Sequence, residues 1–212
     1  MNFYDSALIT LVIFTALFYL HWNRIDKVVD EALFSRFLFF GVLLGIVYAV
    51  LFVYAFFSLY QYIDLMLFST FLLLPAIATG GQLSILSGKY KLRKDILQLS
   101  SSLGGAFSLP VSFGVAMVSS TALLDYAFVA VITVFAFLVN LMSAVLLSLG
   151  GIRRKMLFFY NLAFLVQMLF SSSVFLEYLY GRYSLFTIVP EVALAAILYM
   201  TIFHGRLREG NE

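Results

Sequence analysis

The chain of 212 residues contains no cysteine. That excludes disulfides, thiolate metal sites and thiol catalysis. It has only two histidines and three prolines, and just 11% of its residues are charged. A soluble domain carries about 25% charged residues, so there is too little charge here to cover a water-facing surface. What fills the space is apolar: 63% of the residues are hydrophobic, and the mean hydropathy is +1.03. This is the composition of an all-α integral membrane protein.

The few charges are not scattered. Twelve of the 13 basic residues fall in four clusters: Arg24, Lys27 and Arg36; Lys89, Lys91, Arg93 and Lys94; Arg153, Arg154 and Lys155; Arg206 and Arg208. Only Arg182 stands elsewhere. Between clusters the apolar stretches are long enough to cross a bilayer an even number of times, at about 20 residues per crossing. Cytoplasmic loops attract Lys and Arg, so all four clusters are expected inside. The opposite side then carries Asp5, Asp64, Asp125, Glu177 and Glu191 against Arg182. The expected fold is a single seven-transmembrane-helix bundle, N-terminus outside and C-terminus inside. Its spans run over about 3–20, 37–60, 63–81, 96–118, 124–149, 156–180 and 184–204. Residues 1–10 have no basic stretch, so the first span is expected to be retained rather than cleaved. A multi-pass place in the cell membrane follows. A basic inner face suits anionic lipid headgroups, so the lipid bilayer is the expected partner and nucleic acid is not. The basic inner loops also offer a docking surface to a protein partner.

Helices in lipid associate through small residues and interhelical hydrogen bonds. The fourth span carries Ser101, Gly105, Ser108 and Ser112 on one stripe and is expected to sit centrally, kinked at Pro110. The second carries Gly41 and Gly45 four residues apart, read as tight packing within the chain. The fifth carries Thr133, Ala136, Asn140 and Ser143 at helical spacing, and the sixth carries Gln167 and Ser171. At a rise of 1.5 Å per residue, Asn140 and Gln167 lie roughly 15 Å and 18 Å from the inner end, on neighbouring helices. The seventh span puts Thr187 and Glu191 on one face, Glu191 roughly 10 Å below the outer end. An acidic group inside hydrocarbon is a functional candidate, because at the centre of a span it costs about 2.5–3.5 kcal/mol to insert. Glu191, Thr187, Gln167, Asn140 and Ser171 are therefore the candidate substrate-binding residues.

No reaction is named by the residues. There is no H-E-x-x-H, G-x-S-x-G, P-loop or dinucleotide fingerprint. His21 and His204, at inner helix ends, are too few for a metal site. The chain is expected to be a non-enzyme without a cofactor. Seven helices with an outer N-terminus also occur in microbial rhodopsins, PQ-loop sugar transporters and trimeric cation channels. The last lysine is Lys155, before the sixth span, where retinal would need one in the seventh. Pro75, Pro110 and Pro190 do not fall where PQ-loop prolines fall, and Gly41 with Gly45 does not reproduce the channels' glycine motifs. The expected function is a small transporter or channel for a small solute or cation. The alternative is a receptor-like sensory module or a non-catalytic membrane subunit of a larger complex.

Overall fold

The computed structural model describes residues 3–23, 30–59, 61–87, 95–121 and 126–180. Among them are six helices long and apolar enough to span a membrane. They are α1 (Phe3–Trp22), α2 (Glu31–Ser58), α3 (Ile63–Leu86), α4 (Ile96–Thr121), α5 (Tyr126–Ile152) and α6 (Met156–Tyr180). The expected seventh span, with Thr187, Glu191 and His204, lies outside the described residues.

Helix is the natural state of such segments, because a backbone in hydrocarbon must hydrogen-bond to itself. The helices run past the apolar stretches where local chemistry allows. α2 begins at Glu31, ahead of its apolar run, because the Asp30 carboxylate accepts from the amides of Ala32 and Leu33 at 3.0 and 3.3 Å. That cap satisfies amides the helix cannot satisfy itself. α5 ends in a tight turn in which the Lys155 amide donates to the Gly150 carbonyl at 3.1 Å. Arg154 sits there at φ 55°, a left-handed conformation usually given to glycine.

α3 is not a uniform helix. Over Ser69–Leu73 it widens into a π-helical turn, and the Leu74 amide reaches back five residues to the Ser69 carbonyl. Pro75 explains this. It has no N–H for the Phe71 carbonyl, and its ring would press on that carbonyl in a regular α-helix. One extra residue in the turn relieves both. α4, by contrast, continues as helix through Pro110.

Register follows from named contacts. Gly41 abuts Leu103 and Ala106, and Gly45 abuts Phe107 and Pro110, so α2 and α4 run parallel. Thr10 faces Thr133 and Phe14 faces Phe137, so α1 and α5 run parallel. Asn140 meets Gln167 while Phe135 meets Phe170, so α5 and α6 run antiparallel. α1, α3 and α5 thus point one way, and α2, α4 and α6 the other. Arg36 and the Arg153–Lys155 turn gather at one end of the bundle, and Asp5 and Asp64 at the other. In both α4 and α5, 78% of the span is buried, against 22% in α1 and 28% in α2, so two helices share the centre. The outer helices present Leu8, Val12, Phe39, Val50, Tyr54 and Phe68 outward, the surface a bilayer would cover.

Candidate functional site

Close packing comes first, because it sets where polar groups can meet. A Cβ on Gly41 would lie 2.5 Å from the Leu103 carbonyl oxygen, and one on Gly45 2.5 Å from that of Phe107. The two glycines therefore let the α2 backbone lie directly on α4, and Gly45 makes room for the Pro110 ring. The central pair α4 and α5 meets at Gly104. A Cβ there would collide with the backbone carbonyl of Asn140 and lie 2.7 Å from Leu141 Cα. Gly104 is absent from the serine–glycine stripe. Its neighbour Gly105, which is in the stripe, has 3.6 Å of ordinary clearance to Phe18 and Phe137.

The serine stripe of α4 is buried, and its hydroxyls turn back on their own helix. Ser101 donates to the Gln98 carbonyl at 2.7 Å, Ser108 to Gly105 at 2.6 Å and Ser112 to Ser108 at 2.8 Å. Ser101 also lies 3.0 Å from Nε2 of the buried His21. Ser108 and Ser112 are thus satisfied within α4, while Ser101 also joins it to α1. Their arrangement is one of packing, not of a ligand cradle.

The interior beside α5 and α6 differs. Asn140 Nδ2 donates to the Ala136 carbonyl at 2.7 Å, and Gln167 Nε2 donates to Asn140 Oδ1 at 2.8 Å. Both residues are fully buried. One turn along α6, the Ser171 hydroxyl lies 3.2 Å from that of Tyr48, on α2. Asn140, Gln167 and Ser171 thus form one polar seam linking α2, α5 and α6. The seam is incomplete within the fold. Among the described residues, Gln167 Oε1 and the hydroxyls of Ser143 and Ser148 are buried without a hydrogen-bond partner. So are both amide atoms of Gln82, a fully buried α3 residue on the same face as Ala78, Thr79 and Leu86. Its signals in the sequence are its type and its place three residues after Thr79, just past the expected end of the third span.

Every described Asp, Glu, Lys and Arg from Asp5 to Lys155 stands at or near a helix end, and none of them is buried. Among the described residues no three His, Cys, Asp or Glu side chains come together to hold a metal ion. Near the basic end, an open groove on the exposed side of α2 is lined by Ser35, Arg36, Phe39 and Phe40. There an arginine stem can lie along apolar rings while its head reaches water. Comparison with protein-family models, with curated proteins and with solved structures finds no match.

Proposed function

We propose that the chain is a small seven-span transporter or channel, with its N-terminus outside and its basic end facing the cytoplasm of the cell membrane. The cargo class is a small polar solute or a cation. The observation that carries this reading is the interior seam of Asn140, Gln167 and Ser171, with polar atoms beside it that the described fold leaves unpartnered. A purely structural bundle gains nothing from such groups, since a buried polar atom without a partner costs about 1–3 kcal/mol. A path for polar cargo needs them. In this reading Glu191 and Thr187 of the seventh span add an acidic group and its hydroxyl neighbour. The reading requires no catalytic residue and no cofactor.

The test is flux. Purified protein in liposomes should pass at least one of water, urea, glycerol, Na⁺ or K⁺ well above protein-free vesicles. Glu191→Gln should remove any pH dependence of that flux while leaving the fold intact. Vesicles as tight as protein-free ones to the whole panel refute transport. The second reading is a receptor-like module or non-catalytic subunit that docks a soluble partner. The basic turn Arg153–Lys155, exposed at the bundle end, favours it. Co-purification of a soluble partner, lost on replacing these three residues by Gln in protein without flux, would support it.

A further inference from the structure

Gln82 lies next to the Asn140–Gln167 pair in depth, and the contacts show why. Ser171 on α6 is level with Tyr48 on α2, since their hydroxyls meet. One turn toward the basic end these parallel helices carry Gln167 and Leu44. Leu44 in turn packs against Gly81 of α3, the residue beside Gln82. On the other flank, Gly104 of α4 meets the Asn140 backbone, and Leu103 and Ala106 on either side of Gly104 abut Gly41, about a turn from Leu44. The amides of Gln82, Asn140 and Gln167 therefore belong to one layer of the bundle, within about a helical turn of 5.4 Å. Ser143 lies one turn nearer the basic end on α5.

We propose that Gln82, with Gln167 Oε1 and the Ser143 hydroxyl, forms a mid-bundle site for an uncharged hydrogen-bonding molecule: water, or a solute of a few heavy atoms with both donor and acceptor groups. The inference rests on the transport reading and narrows its cargo. Gln82 offers two donors and an acceptor at once, all without partners among the described residues. A cation would engage only the carbonyl oxygen and would leave the amide N–H groups unpaired. An anion would do the reverse. A neutral molecule with both functions satisfies both ends. Among the described residues no Asp, Glu, Lys or Arg is buried to offset the desolvation of an ion, which is large in a low-dielectric interior.

The experiment uses the full chain in liposomes, with stopped-flow light scattering for water, urea and glycerol and fluorescent reporters for Na⁺ and K⁺. At least one neutral probe should permeate several-fold faster than through protein-free vesicles. Gln82→Met and Gln167→Met should each reduce that permeability about tenfold. Gln82→Met removes an unpartnered amide at similar volume, so its unfolding midpoint should be unchanged or raised. Water alone, or water with urea or glycerol, both support the site and separate its two occupants. Neutral permeation untouched by Gln82→Met and Gln167→Met overturns the site and leaves transport standing. Cation flux without neutral flux overturns the neutral cargo and also leaves transport standing. Silence across the panel overturns both. A midpoint lowered by many degrees in Gln82→Met would mark the amide as an internal structural bond and overturn the site.

Discussion

Two adjacent glycines in the central helix should respond oppositely to the same added methyl group. Gly104 and Gly105 sit in the same stretch of α4, so replacing either by Ala brings the same gain in helix propensity, up to about 1 kcal/mol. What differs is the space. At Gly105 the nearest neighbours of a new Cβ are ring atoms of Phe137 and Phe18 at 3.6 Å, ordinary contact. At Gly104 they are the Asn140 carbonyl and Leu141 Cα, the latter at 2.7 Å, and both are backbone. No rotamer change relieves that clash, so α4 and α5 must separate by roughly 1 Å, an overpacking strain that costs about 1–3 kcal/mol. Subtracting one variant from the other cancels propensity and leaves the steric cost. Gly104→Ala should therefore be less stable than Gly105→Ala by about 1–3 kcal/mol, measured by reversible SDS unfolding in mixed micelles with circular dichroism. The same displacement moves the Asn140 backbone and its bond to Gln167, so flux should fall in Gly104→Ala and persist in Gly105→Ala. Equal stabilities, or a worse Gly105→Ala, would refute the α4–α5 register.

Replacing Asn140 alone by Leu should leave the whole Gln167 amide unpartnered, costing about 1–3 kcal/mol, whereas the Asn140→Leu/Gln167→Leu double variant should recover much of that. Strictly additive unfolding energies would show that the two amides do not act as a pair. Arg154→Gly should stabilise the α5–α6 turn by about 1 kcal/mol, because a left-handed residue with a Cβ is strained; an unchanged or lowered unfolding midpoint counts against that turn geometry. Single cysteines placed at Lys91 and Arg154 should be labelled from the cytoplasmic side and one at Arg182 from outside, and labelling of Lys91 and Arg182 from the same side would sink the seven-span orientation.

The parts of this fold that can be read from sequence are those that cost most in lipid. Unbroken apolar runs mark the spans because a charge in them is expensive, and the depths of Asn140 and Gln167 follow from counting residues to the basic turn after α5. Other features carry no such signal. In a soluble helix polarity distinguishes the inner face from the outer, but here lipid-facing Phe39 and Val50 are as apolar as core Phe37 and Phe52. The π-helical turn at Ser69–Leu73 shifts register by one residue inside a mostly apolar segment, where no periodic stripe exists to reveal the slip. Gly104 and Gly105 lie only about 100° apart on the helix. The serines draw attention to Gly105's face, yet their hydroxyls bond to their own helix and the backbones close at Gly104. Gln82 shares the buried face of Pro75, Ala78, Thr79 and Leu86, but it falls just past the expected end of the third span at 81. In a membrane bundle the informative residue is the one whose polarity the local helix does not absorb, and that is a property of contacts rather than of spacing. Ser108 and Ser112 fail that criterion, while Gln82 and Gln167 meet it, so the amides and not the serine stripe are where polar cargo would be handled.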